Sequence, residues 1–294
     1  MHNILRSILF FPLTITNLYL EALSKIRPSL ASYLTDDVYS KKSLEITAVS
    51  HDCDSKSVRI DLRVHTPNAM CRWRANSFSE KEPETLEWIE EFGGHGAFYD
   101  IGANVGLYSL YYAKLFAQRV YAFEPSVLNL GMLARNIDSN SLSSEIVIVP
   151  LPLTSVNQIA LMQLTSSQEG GALSTFGAGY GHDGKELQTV MEYQMPGFTL
   201  DFLLSSRLIP QPPSLMKIDV DGIEHFILEG AKATLSLPHL RSVLVEVNDE
   251  FYQQANEVSL HLTEAGFSLR DKRQSSMFET GEYSSSYNQI WTRL

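Results

Sequence analysis

Phe98-Tyr99-Asp100-Ile101-Gly102-Ala103-Asn104-Val105-Gly106 is the stretch that decides the fold. Phe98 to Ile101 is a short apolar run of the kind that forms a buried strand. Gly102 lets the backbone turn sharply and approach a ligand, and Gly106 allows close packing where a helix begins. Leu107 to Phe116 reads as that helix. Arg119 to Phe123 reads as the next strand, and it ends at Glu124-Pro125. Strand, glycine turn, helix and a strand-ending acid about 20 residues on is the order of a nucleotide-binding crossover. The acid is placed to accept both hydroxyls of a ribose.

The turn also selects the nucleotide. A dinucleotide turn reads Gly-x-Gly-x-x-Gly and holds a pyrophosphate at the helix N-terminus. Here Asn104 stands at the middle glycine, and Asp100 stands just before the turn. A carboxylate there repels a pyrophosphate and suits the ammonium of a methionine moiety. Both features favour S-adenosylmethionine over NAD. The candidate cofactor-binding residues are Asp100, Gly102, Ala103, Asn104, Gly106, Glu124 and Pro125, with Asp219 from a later strand end.

Working outward, strands and helices alternate. Asn129 to Ile137 reads as a helix, Ile146 to Leu151 as a strand, Leu215 to Val220 as a strand and Ile223 to Leu235 as a helix. Val243 to Val247 is a strand and Val258 to Ala265 a helix, and Phe267–Arg270 and Asn288–Thr292 close the chain as strands. This alternation predicts a mostly parallel sheet covered on both faces. The last two strands leave no room for a crossover helix, so an antiparallel end is expected. Before the core, alternation at Leu44, Ile46 and Ala48 and at Val58, Ile60, Leu62 and Val64 predicts strands. Lys81 to Phe92 reads as a helix with Leu86, Ile89 and Phe92 on one face, ended by Gly93 and Gly94. The expected division is an N-terminal accessory region over 1–80 and a cofactor-binding domain over 81–294.

The second chemical signal is Met216-Lys217-Ile218-Asp219-Val220-Asp221-Gly222-Ile223-Glu224. Ligands of open α/β sheets bind outside such strand ends. Strand alternation would send Lys217, Asp219 and Asp221 to one side. Lys217, set in an apolar strand, needs an acid partner. Glu224 is accounted for by the dipole of the helix it opens. The third signal is Glu246, ending the next strand beside Asp219. Lys217, Asp219, Asp221 and Glu246 are the catalytic candidates. Their acids could orient an acceptor hydroxyl, act as a base or hold a divalent metal through oxygen. The sequence leaves these open.

Composition narrows the classes. The chain has 294 residues, 44% of them hydrophobic, and a net charge of −11. That acidic surplus disfavours a nucleic-acid partner. Two cysteines, Cys53 and Cys71, cannot frame a chain this long and fit a reducing cytoplasm. His51, Asp52, Cys53 and Asp54 read as a polar turn, since no second ligand cluster follows at a metal-site spacing. Ile4 to Leu20 is apolar but broken by Arg6, Pro12 and Asn17, so it predicts a helical arm packed on its own protein or on a partner, a second copy included, with a loose membrane-surface contact as the alternative and no transmembrane span. Six of the 17 glycines fall between Ser166 and Gly184. That segment reads as a surface connection or as a lid beside a ligand. Arg72 and Arg74 flank Trp73 and could hold an acidic sugar.

With these motifs in order, the chain resembles the FkbM family of methyltransferases. The matching stretches are Phe98–Gly106, Ala122–Pro125, Asn136 in the following helix, Leu215–Gly230 and Leu244-Val245-Glu246, and Lys81–Ile89 is similar to a subset of the family. The family commonly has Glu where this chain has Asp221. It often has an acid near the third strand, where this chain reads Leu151-Pro152-Leu153-Thr154-Ser155. The resemblance implies a Rossmann-like class I methyltransferase fold, a seven-stranded mostly parallel sheet with a C-terminal antiparallel strand. It also implies O-methylation of a sugar, glycan or natural-product hydroxyl with S-adenosylmethionine as donor, with Asp219 or Asp221 as base or metal ligand and Glu246 in support. Two alternatives are an NAD-type oxidoreductase on a similar sheet and a non-catalytic scaffold that kept the fold.

Overall fold

Strand β1 (Ile46–Cys53) and strand β2 (Val58–His65) form a two-stranded sheet, followed by helices α1 (Ala69–Asn76), α2 (Phe78–Lys81) and α3 (Pro83–Phe92). Then come β3 (Ala97–Ile101), α4 (Leu107–Phe116), β4 (Val120–Phe123), α5 (Val127–Ser139) and β5 (Ile146–Val149). Strands β6 (Gln158–Leu164), β7 (Thr175–Phe176) and β8 (Met191–Gly197) precede α6 (Leu200–Ser205) and β9 (Pro213–Ile218). The chain closes with α7 (Glu224–Glu229), α8 (Lys232–Leu235), β10 (Ser242–Asn248), α9 (Tyr252–Glu264), β11 (Ser268–Arg273) and β12 (Ser286–Thr292). The computed structural model describes Lys25, residues 45–281 and residues 283–293. The apolar arm expected over 4–20 lies outside these residues. Residues 47–294 form one compact unit, so the 47–80 segment falls in the same unit as the main sheet.

The main sheet has seven strands in the order β11-β12-β10-β9-β3-β4-β5. The pairs β3–β4, β4–β5, β3–β9 and β9–β10 are parallel. Only β12 runs against its neighbours β10 and β11. This is the Rossmann-like class I methyltransferase sheet, with the antiparallel C-terminal strand inserted beside β10. The order reverses between β3 and β9, and the crevice at such a switch point is where ligands bind.

Alternation along the central strands fills both faces. Ala97, Tyr99 and Ile101 of β3 join one core with Val243, Val245 and Val247 of β10. Phe98 and Leu244 point into the other, with Leu62, Val64, Leu110 and Leu133. A parallel sheet buried on both sides needs such near-continuous apolar strands. The β1–β2 pair is tied to the core by amides. Asn136 accepts from the His65 N–H at 2.8 Å and donates to the Val105 carbonyl at 2.8 Å. Asn140 accepts from the Arg63 N–H and donates back to its carbonyl.

Two readings of the chain are corrected, and one sheet is new. Strand β9 stops at Ile218, not Val220, so strand alternation does not carry on to Asp219 and Asp221. Asp221 instead sits at φ 64° in a left-handed turn. The helix expected over 223–235 is two short helices, α7 and α8, separated at Gly230-Ala231. Gly230 sits there because a side chain would meet the Thr154 carbonyl oxygen at 2.2 Å. A third sheet, ordered β7-β6-β8, was not foreseen.

Candidate active site

A cavity of about 710 Å³ opens at the switch point. That is the usual size of a small-molecule site, about 300–1,000 Å³. Two strand ends make its floor. The Asp219 N–H donates to the Ile101 carbonyl at 3.0 Å, joining β9 to β3. Gly102, at φ 89°, makes the approach feasible, since a Cβ there would lie 1.8 Å from the Asp219 carbonyl oxygen. The glycine is therefore required by the neighbouring strand end as well as by the cavity it lines. Gly106, at φ 88°, lets α5 pack close, because a Cβ would meet Leu133 Cδ1 at 2.4 Å.

Glu124 ends β4 and lines the cavity. Its Oε2 accepts from the Asn104 N–H at 2.7 Å, and its Oε1 from the Ser126 N–H at 2.8 Å. Oε2 keeps lone-pair capacity for a ligand hydroxyl, while Oε1 also takes a long 3.5 Å bond from the Asn129 amide. Burial pushes the Glu124 carboxyl up to about 7, against the pull of those amides. Asn104, at φ 52°, donates its side-chain amide to the Gly171 carbonyl at 2.7 Å. Asn129 donates to the same carbonyl at 3.2 Å and accepts from the Gly170 N–H at 2.9 Å. Arg74 Nε donates to the Gly170 carbonyl at 2.7 Å. The glycine-rich segment is thus pinned at Gly170-Gly171 and forms cavity wall.

Of the cofactor candidates, Gly102, Asn104, Glu124, Pro125 and Asp219 line the cavity. Asp100, Ala103 and Gly106 shape the turn from behind. Asp100 is buried and accepts from Ser109 Oγ at 2.6 Å, while its Oδ1 has no hydrogen-bond partner among the described residues. Burial raises its carboxyl.

The acids gather as the sequence suggested. The parallel register sets Leu244 against Lys217 and Val245 against Ile218, so Glu246 follows beside Asp219. Asp219, Asp221 and Glu246 each offer an oxygen within 4.8 Å of the others. All three line the cavity, and Lys217 does not. Lys217 is 1% exposed, bonds Asp219 Oδ2 at 2.5 Å and lies 3.9 Å from Glu82. Its ammonium also sits 5.1 Å from the Tyr108 ring centroid. Lys217 thereby fixes Asp219 from below. Asp221 Oδ2 accepts from the Leu173 and Ser174 N–H groups. Burial and the neighbouring Asp219 charge push Asp221 up to about 6. Burial, then Asp219 and Asp221, raise Glu246 well above an ordinary carboxyl. No hydrogen bond or ion pair among the described residues ties Glu246 down.

Several site residues were missed or misread. Glu224 does more than open a helix. It is fully buried, accepts from the Val220 and Gly222 N–H groups, and takes a 2.5 Å bond from Gln254 Nε2. Gln254 Oε1 accepts from the Asn248 N–H at 3.0 Å. The pair braces the acid turn against the end of β10. Lys81 and Glu82 line the cavity from the α2–α3 junction. His182 lines it too, and its buried Nε2 lacks a partner among the described residues. Gly222 admits that segment, since a Cβ would meet the Gly181 carbonyl oxygen at 2.6 Å. Arg74, a candidate with Arg72 for an acidic sugar, lines the cavity, and its charge reaches Glu124.

The family model described as the Methyltransferase FkbM domain matches residues 100–269, more than half of the chain. No curated protein matches the sequence. Among solved structures, magnesium protoporphyrin IX methyltransferase from Synechocystis PCC 6803 with bound SAM is 13% identical, covering 77% of this chain and 85% of that one at a TM-score of 0.42. Precorrin-6y C5,15-methyltransferase from Geobacter metallireducens GS-15 is 12% identical, with coverages of 72% and 86% and a TM-score of 0.42. The ribosomal protein L11 methylase from Lactobacillus delbrueckii subsp. bulgaricus is 14% identical, with coverages of 72% and 78% and a TM-score of 0.43.

Proposed function

Since the chain belongs to the FkbM methyltransferase family, we propose that it transfers a methyl group from S-adenosylmethionine to a hydroxyl of a sugar, glycan or other natural product. The observation that carries this reading is the meeting of Asp219, Asp221 and Glu246 at the crevice that Gly102 and Glu124 also line. The residues fit the cofactor. Glu124 offers a ribose acceptor on the cavity surface, and Gly102 keeps the floor open beside Asp219.

When bound, S-adenosylmethionine would supply an activated methyl group whose leaving group is a neutral thioether. The protein aligns the acceptor oxygen with that carbon and takes the hydroxyl proton as the oxygen bonds. Glu246 is the base in this account. Burial among acids brings its proton affinity nearer to that of a working general base than an ordinary carboxylate allows. Asp221 supports it, and Asp219 is held in place by Lys217. The buried thiols Cys53 and Cys71 fit a cytoplasmic setting. Among the described residues, no helix is long and apolar enough to cross a membrane.

A second reading uses the same three carboxylates. An all-oxygen donor set this tight suits a hard divalent cation such as Mg²⁺ or Mn²⁺. Asp219, Asp221 and Glu246 would hold it, and it would supply charge to polarise the acceptor hydroxyl. Methyl transfer to a panel of neutral sugars and glycosides, run with and without a chelator, tests both readings. Transfer that survives chelation assigns the work to the carboxylates alone. Transfer lost to chelation and restored by Mg²⁺ or Mn²⁺ assigns it to a bound cation. No oxygen methylated anywhere in the panel, with an amine or an activated-carbon acceptor methylated in a parallel assay, would contradict O-transfer.

Glu124 gives the cofactor site a pH signature. A ribose hydroxyl donates best to the ionised carboxylate, and this carboxyl titrates near 7. Cofactor affinity should therefore rise as pH increases through about 7 and fall below it. Calorimetric titration with S-adenosylhomocysteine from pH 6 to pH 8 measures this. Glu124→Gln should flatten the profile and weaken binding. A flat profile in the native protein would remove Glu124 from the ribose.

A further inference from the structure

The cofactor reading leaves one end of the ligand unassigned. S-adenosylmethionine carries a carboxylate beside its ammonium, and the cavity is rich in acids that would repel it. Only two cations line the cavity among the described residues, Arg74 and Lys81. Arg74 is tied to Gly170, and Gly170 to Asn129, whose amide lies 3.5 Å from Glu124. That chain of contacts puts Arg74 at the ribose end.

Lys81 belongs to the opposite end. Its ammonium pairs with Glu82, Glu82 lies 3.9 Å from Lys217, and Lys217 bonds Asp219 at 2.5 Å. Asp219 in turn rests its carbonyl on Gly102. This is the side of the Gly102 turn away from the ribose acid, where an amino-acid tail would extend. Glu82 has a second ammonium neighbour in Lys217, so Lys81 is not its sole countercharge. Burial opposes the charge on Glu82, but Lys81 and Lys217 hold its carboxyl down at about 2. Lys81 is 23% exposed at its side chain and has three N–H donors, only one of them needed by Glu82.

Resting on the S-adenosylmethionine reading, we propose that Lys81 anchors the carboxylate of the cofactor's amino-acid tail. The residue lies before the matched FkbM segment, which begins at residue 100. The α2–α3 junction thereby becomes part of the cofactor site, with Pro83 opening α3 directly behind the pair.

Two nucleosides separate this role from a structural one. S-adenosylhomocysteine carries the tail, and 5′-methylthioadenosine lacks it. Equilibrium binding of both to the full chain is the experiment. Lys81→Met should weaken S-adenosylhomocysteine by about tenfold or more, the scale of one lost charge-assisted hydrogen bond. It should leave 5′-methylthioadenosine within about twofold, which also shows that the cavity is folded. Lys81→Arg should hold the native affinity for both. Arg74→Met should change the two affinities by the same factor. Unchanged S-adenosylhomocysteine affinity in Lys81→Met, or equal weakening of both nucleosides, would overturn the assignment. A native protein that bound neither nucleoside would instead bring down the cofactor reading, and this assignment with it.

Discussion

Glu246→Gln is expected to slow methyl transfer by a hundredfold or more, roughly the scale of a lost general base, while cofactor affinity stays within about twofold. Gln fills the same volume and keeps an acceptor oxygen, so packing is spared. What it loses is the ability to take a proton. The native carboxyl is raised by burial and by Asp219 and Asp221, and replacing it with a neutral amide relieves that crowding. The variant should therefore melt at or above the native temperature. Single-turnover rates with a saturating acceptor, beside a melting curve, measure both quantities. Turnover near the native rate in the folded variant would take Glu246 out of the mechanism. A lowered melting temperature with weakened cofactor binding would make it a structural residue.

Gly102→Ala is expected to be as damaging by a different route. The residue sits at φ 89°, and its new methyl would lie 1.8 Å from the Asp219 carbonyl oxygen. Neither backbone can yield without parting β3 from β9, whose ends meet through the Asp219 N–H and the Ile101 carbonyl. Left-handed strain plus overpacking should cost about 3 kcal/mol or more in stability. Calorimetry should find S-adenosylhomocysteine binding abolished. Gly131→Ala is the control. Gly131 lies inside α5 with nothing within 4 Å of its missing Cβ, so alanine should raise helix stability by up to about 1 kcal/mol. Native-like cofactor binding in Gly102→Ala would show that the floor of the cavity is not built as described.

The parallel core was legible because its strands are apolar on both faces and its turns carry glycine where the backbone demands it. Gly102, Glu124, Asp219 and Glu246 could be placed from that logic alone. The β7-β6-β8 sheet could not. Ile159 of β6 is 73% exposed, and Leu161 also faces outward. Apolar residues on both faces erase the alternation that marks a half-buried strand. Pro196 near the end of β8 further argues against a strand by local rule. The end of β9 was misplaced because Asp219 and Asp221 keep a period of two beyond the last ladder bond. Only the left-handed geometry at Asp221 and Gly222 breaks that period. Glu82, Gln254 and His182 were invisible because their roles depend on partners 30 or more residues away. Glu82 meets Lys217, Gln254 meets Glu224 across α9, and His182 reaches the acid turn because Gly222 lacks a side chain.

The structure of the chain bound to S-adenosylhomocysteine would show whether the nucleoside lies between Glu124 and the three carboxylates. The ribose hydroxyls should lie on Glu124 at hydrogen-bond distance, about 2.5–3.0 Å, with the sulfur turned toward Asp219, Asp221 and Glu246. A nucleoside bound away from Glu124, or a sulfur facing away from the three carboxylates, would contradict it.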